Sequence, residues 1–182
     1  MARKMMVLAG LVGLSACSGL VGSTAAILGT VDPLTADPAD VAVRVDLPEG
    51  IALLEDGARL ALAARRDDTG QAFSEVFVLR QDGDGTRTLA VDGTDYARLR
   101  QAQATARAWK AEDDDATRGS LSLTLDPCRT VASPAPDARF SAAIRLDRDG
   151  PFLPLLRNAR LGDVAAVAEI AQLPACETAR PY

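Results

Sequence analysis

From Val41 onward, apolar and polar residues alternate along much of this chain. Val41, Val43, Val45 and Leu47 fall on one side of a period-two pattern and Ala42, Arg44 and Asp46 on the other, which predicts a half-buried strand. Pro48-Glu49-Gly50 marks a turn, after which Ala58, Leu60, Leu62 and Ala64 alternate with Arg59 and Arg65 in a second strand. A third run, Phe73 to Arg80, loses strict phase at Phe77-Val78-Leu79, as a strand buried on both faces or a bulged one does. Gln81-Asp82-Gly83-Asp84-Gly85 reads as a turn, and Thr86 to Val91 supplies the return strand of an antiparallel hairpin.

The period then changes. Tyr96, Leu99, Ala102, Ala106 and Trp109 recur at helical spacing, with Arg98, Arg100, Gln101, Gln103, Arg107 and Lys110 largely off that stripe. An amphipathic helix is predicted over about Thr94 to Ala111, with Asp92, Thr94 or Asp95 as its cap. The acidic run Glu112 to Asp115 reads as a solvated loop whose charge opposes the helix dipole. The apolar stripe with Tyr96, Leu99 and Trp109 reads as core, since aromatic residues are only 4% of the chain and scarce packing material belongs inside.

Alternation returns in Leu121, Leu123 and Leu125 against Ser122 and Thr124, and again in Phe140, Ala142, Ile144 and Leu146 against Ser141, Arg145 and Asp147. Phe152 to Asn158 forms a last strand, which Pro154 places at a sheet edge. Asp163 then caps a short helix with Val164, Val167, Ala168 and Ala171, stopped by Pro174. The expected fold is mainly β: an antiparallel immunoglobulin-like β-sandwich of six or seven strands, with one inserted amphipathic helix and a short C-terminal helix. The likeness to immunoglobulin domains is architectural, because Trp109 falls on the helix and no cysteine pair brackets a core Trp.

The N-terminal pattern is of another kind. Arg3 and Lys4 precede an apolar run from Met5 to Leu14, and Ser15-Ala16 supply small residues before Cys17. A helix of about ten residues rises about 15 Å, half of a bilayer's hydrocarbon core, so the run is too short to span. Leu14-Ser15-Ala16-Cys17 resembles the lipobox of bacterial lipoproteins. The resemblance implies that residues 1–16 are a signal peptide and that Cys17 carries thioether-linked lipid and an N-acyl chain, palmitate being a typical acyl group. It also implies sorting to the outer membrane, periplasmic face, because Ser18 stands where an Asp would favour inner-membrane retention. Several acyl chains on one sulfur make a durable anchor, each buried methylene contributing about 0.8 kcal/mol. Residues 17–40, with Gly19, Gly22, Gly29, Pro33 and Pro38, read as the lipidated N-terminus and tether, and 41–182 as a single domain. This region loosely resembles uncharacterised proteobacterial lipoproteins, which implies no activity.

Charge and cysteine content narrow the picture. The chain carries a net charge of −5, and losing Arg3 and Lys4 with the signal takes it to −7. An acidic chain with scattered basic residues is a poor partner for nucleic acid. With Cys17 assigned to lipid, Cys128 and Cys176 remain, and an exported chain is expected to join them in a disulfide. No metal is expected, because the chain has no His and two isolated cysteines make no tetrahedral site.

Candidate chemistry is sparse. Asp82, Asp84 and Thr86 place oxygens at alternate positions, but a calcium loop starting there meets Arg87 where it needs Gly and Gly93 where it needs a bidentate acid. Asp147-Arg148-Asp149-Gly150 reads as a second solvated turn. Without His, neither a Ser-His-Asp nor a Cys-His arrangement is available, and Lys110, the single lysine beyond the signal, lies in no Ser-x-x-Lys motif. The expected function is a non-catalytic binding or assembly module of the cell envelope, membrane-anchored through lipid, with an envelope protein as partner and no cofactor. The alternatives are a carboxylate-dependent hydrolase of envelope glycans and a purely structural spacer.

Overall fold

The computed structural model describes residues 21–22, 32–81, 87–164, 170 and 172–176. Its elements in chain order are β1 (Val21–Gly22), β2 (Ala42–Asp46), β3 (Ile51–Arg66), β4 (Ala72–Gln81), β5 (Thr88–Val91), a 3-10 turn (Gly93–Asp95), α1 (Tyr96–Glu112), β6 (Thr117–Arg129), β7 (Arg139–Arg145), β8 (Leu153–Arg160) and α2 (Leu161–Val164). The strands hydrogen-bond in the order β1-β6-β3-β4-β5-β2-β7-β8, each antiparallel to its neighbours.

The mainly β expectation holds, but the two-sheet immunoglobulin-like sandwich is corrected to one sheet curled into a half-barrel. The continuity runs through β4. Its first part, Ala72 to Val78, pairs with β3, and its last part, Leu79 to Gln81, pairs with β5. One strand thus joins the long β3–β6 ladder to the β5-β2-β7-β8 half. Period two fixes which side chains of a strand are buried, and here part of what buries them is α1: Leu99, Ala102 and Ala106 share one core with Val43, Leu60, Leu62, Phe77, Leu89 and Ile144.

The alternation is borne out except at Ala42, expected on the outward face and buried. Val43 and Val45 are buried while Arg44 and Asp46 are exposed, and Leu60, Leu62 and Ala64 are buried with Arg65 outside. β3 is longer than its pattern, because a bulge interrupts it. Leu53 pairs with Pro127 and Ala58 with Leu125, so four residues of β3 stand against Asp126 alone. Asp56 takes a left-handed φ of 58° there. Gly57 is needed next to it, since an added Cβ would sit 2.7 Å from the Leu54 carbonyl oxygen and 2.9 Å from that of Asp126.

α1 begins where Asp92 caps the preceding turn, its carboxylate accepting from the Thr94 backbone N–H at 2.9 Å and from the Thr94 hydroxyl at 2.7 Å. Gln103, off the apolar stripe, is nevertheless 3% exposed. Its Nε2 donates to the carbonyls of Pro33 at 2.8 Å and Ala36 at 2.9 Å. Arg107 donates to the Leu34 carbonyl, and Arg100 pairs with Asp37 at 2.9 Å. The segment 32–40, which Pro33 and Pro38 suggest is a tether, therefore packs on α1, with Leu34 and Pro38 buried. Pro154 lies on β8, the edge strand, as its missing N–H requires. Asp163 lies inside α2 rather than capping it, and Val167, Ala168 and Ala171 lie outside the described residues.

Candidate functional site

β4 leaves one of its edges open. Arg66 and Gln71 are a hydrogen-bonded pair at the β3–β4 turn, with the Arg66 N–H 2.8 Å from the Gln71 carbonyl oxygen. The antiparallel ladder then bonds alternate residues, so Phe73, Glu75 and Phe77 bond to β3 while Ala72, Ser74 and Val76 aim their N–H and C=O groups away from it. β5 reaches only Leu79 to Gln81 on that side. The outward groups of Ala72 and Ser74 and the outward N–H of Val76 have no partner among the described residues, and the Val76 side chain is 46% exposed. The Val76 carbonyl accepts from Arg98 at 2.8 Å.

A groove of about 380 Å³ runs between this edge and α1. Ala72, Phe73, Ala102 and Trp109 give it apolar walls, and Gln71, Glu75, Arg98, Gln101 and Thr105 give it polar ones. Phe73 and Trp109 meet at 5.5 Å between ring centroids, tilted by 56°, which fixes both rings. Arg98 is the pillar between strand and helix. Its guanidinium lies 4.3 Å over the Phe77 ring and pairs with Glu75 at 2.7 Å and Asp95 at 2.9 Å. Those two carboxylates hold the Arg98 proton more tightly than usual. Trp109, expected as core, is half-buried and lines the groove. The site is missed at the level of sequence, where the Trp109 stripe reads as core and Phe73 as part of a strand; the one signal that could have found it is the aromatic content of β4 and α1. The open edge itself had no signal, because it depends on where β5 stops.

Several carboxylates elsewhere are tied up. The pKa values of Asp37, Asp68 and Asp92 all lie below the ordinary carboxylate range: the Ala39 backbone N–H lowers the first, the Arg66 guanidinium the second, and the Thr94 hydroxyl and N–H the third. In the run 112–115, Glu112 pairs with Arg66, Asp113 accepts from the Ala116 N–H at 2.9 Å, and Asp114 lies 3.4 Å from Lys110. Asp147 closes its own turn, accepting from the Asp149 N–H at 3.0 Å, while Arg148 reaches Asp40 at 3.0 Å. Among the described residues no three His, Cys, Asp or Glu side chains gather as a metal site, and no helix is long and apolar enough to cross a membrane.

Cys128 and Cys176 stand together, with an S–S distance of 2.04 Å. Around them the Cys176 N–H donates to the Arg129 carbonyl at 3.0 Å and the Arg129 N–H to the Pro174 carbonyl at 2.9 Å, so the C-terminal segment adds a parallel bridge at Ala175. Cys17, the lipobox around it, and Asp82, Asp84 and Thr86 lie outside the described residues. No family model matches the chain, and neither a curated protein nor a solved structure matches it.

Proposed function

We propose that this protein is a non-catalytic docking module of the bacterial cell envelope, anchored through lipid on Cys17 at the periplasmic face of the outer membrane, which receives an extended segment of an envelope protein along β4. The observation that carries the docking reading is the open edge of Ala72 to Val76 beside an aromatic groove. An added strand gains main-chain hydrogen bonds from the edge and side-chain contacts from Phe73 and Trp109. Five residues of strand, about 17 Å, match that edge. A structural spacer has no use for such a groove. The hydrolase reading needs a carboxyl held protonated near neutral pH, whereas the shifted carboxyls among the described residues move downward.

The anchor rests on the lipobox resemblance alone, and the test separates it from docking. A photo-crosslinking residue replacing Gln101, in cells, is expected to give a discrete adduct with an envelope protein. Ser74→Pro deletes an outward N–H while the β3 bonds of Phe73 and Glu75 stay, so it is expected to abolish the adduct without moving the unfolding midpoint by more than a few tenths of a kcal/mol. No adduct, or one indifferent to Ser74→Pro, refutes docking. In a Cys17→Ser background the chain is expected to leave the membrane fraction, and an unchanged, membrane-held chain refutes the anchor.

A further inference from the structure

On the face of the sheet away from the core, two arginines share one ring. Ala42 pairs with Arg145 and Arg44 with Ala143, so Arg44 of β2 and Arg145 of β7 lie diagonally across the ladder on the side opposite buried Val43, Val45 and Ile144. Their guanidinium carbons stand 3.9 Å and 5.1 Å from the centroid of the Phe152 ring. Among the described residues neither guanidinium has a carboxylate or carbonyl acceptor. The arginines of α1 are different, since Arg98, Arg100 and Arg107 all find oxygen partners.

A second observation singles out the same place. Arg145 Nε is buried and without any hydrogen-bond partner. Donors buried in this way are rare in folded proteins and call for an acceptor from outside the chain. Along the neighbouring strands, β7 and β8 carry Arg139, Arg145, Arg157 and Arg160 and no Asp or Glu, and Asp46, on the same face of β2 as Arg44, is paired with Arg87 at 3.3 Å.

We propose that Arg44, Arg145 and Phe152 form a binding site for a phosphate group, as a monoester, a diester or the inorganic anion. Guanidinium groups present forked donors that match oxyanions, and an anion between two of them removes their mutual repulsion. The tetrahedron decides the ligand class: the two oxygens of a carboxylate lie in one plane and fill one fork, whereas the free oxygens of a phosphate, two even in a diester, diverge so that each can meet a separate fork. Phe152 packs against both cations through its ring. A phospholipid headgroup and a soluble phosphate present the same chemistry.

The test follows the Arg145 Nε–H resonance of the full-length chain, labelled with nitrogen-15, during addition of inorganic phosphate at constant ionic strength. A saturable shift is expected. Arg44→Gln is expected to weaken it at least tenfold, and Arg44→Lys, which keeps the charge and loses the fork, to restore it only in part. Arg44 is exposed, so an unchanged unfolding midpoint identifies these as binding effects. An identical shift with chloride, or a phosphate titration that Arg44→Gln leaves unaltered, overturns the site. Vesicles then assign the source: binding to phosphatidylglycerol vesicles that Arg44→Gln abolishes makes it a headgroup site, and a saturable phosphate titration with no Arg44-dependent binding to phosphatidylglycerol or phosphatidylcholine makes it a site for soluble phosphate.

Discussion

The β3–β6 pair and the β7–β8 pair treat arginine differently. In the first, Arg65 and Arg118 face each other directly across the ladder, and Asp67 stands between them at 3.3 Å and 3.8 Å. Arg59 pairs with Asp126 at 2.6 Å, and Arg66 takes both Asp68 and Glu112. In the second, Arg139 faces Arg160 in the same manner with no acid between among the described residues, and Arg139 settles on the Asn158 carbonyl at 2.8 Å. The ladders differ in step with the charges. β3 and β6 keep one register from Ala58 to Arg66, whereas β7 and β8 slip between Phe140 and Ala142 and again before Ala143. Like charges facing each other across a strand pair repel, and β3–β6 answers that repulsion with carboxylates while β7–β8 answers it with the Asn158 carbonyl alone among the described residues. One pair is a beam and the other an adaptable edge.

The largest expected effect lies at the end of the beam. Cys128 closes β6 onto Cys176 over a sequence separation of 48, and in the chain-entropy model that closure stabilises the fold by about 4 kcal/mol. Replacing both cysteines by Ser is expected to lower the urea midpoint by that equivalent, and an unchanged midpoint would remove the covalent half of the contrast. Packing sharpens it next. Leu60 in β3 is 1% exposed, so Leu60→Ala is expected to cost about 3 kcal/mol. Leu153 at the start of β8 is only half-buried, and Leu153→Ala is expected to cost about 1 kcal/mol. Equal losses in the two variants, measured by the same denaturation curves, would show that β8 is as firmly packed as β3.

Much of the fold was legible in the sequence, and the reasons are specific. Val43, Val45, Leu60 and Leu62 announced their strands because one face of each is buried, and Leu99, Ala102 and Ala106 announced α1 for the same reason. What period two cannot report is the partner across the face. A second sheet and a curled continuation of the first demand the same alternation, so the half-barrel was hidden in β4, where pairing passes from β3 to β5. The start of β3 was hidden by its bulge, which takes Leu54 to Gly57 off the period. Gln103 read as a surface residue because amphipathicity assigns polarity outward, and only the Pro33 and Ala36 carbonyls reveal why it is inside. The groove residues Phe73 and Trp109 were visible singly, but the open edge that gives them meaning is a consequence of long-range register.

The smallest expected effect probes charge pairing itself. Arg66 is 11% exposed at its side chain and donates to both carboxylate oxygens of Asp68, at 3.0 Å and 2.6 Å. That bidentate pairing holds the Asp68 carboxyl below its ordinary range and the Arg66 guanidinium above its own. A depressed carboxyl pKa means that the unfolded chain takes up the proton first. Its contribution to stability is therefore complete above about pH 4 and is lost as pH falls through the lower, folded value. Asp68→Asn is expected to be slightly less stable than the parent at neutral pH, with the difference fading in urea curves taken below about pH 4. Arg139→Gln, on the edge with no carboxylate partner, is expected to give a difference from the parent that does not change over the same acid range. A difference for Asp68→Asn that persists unchanged to acid pH would mean that hydrogen bonding without charge holds that end of the beam, and the two strand pairs would then differ in packing alone.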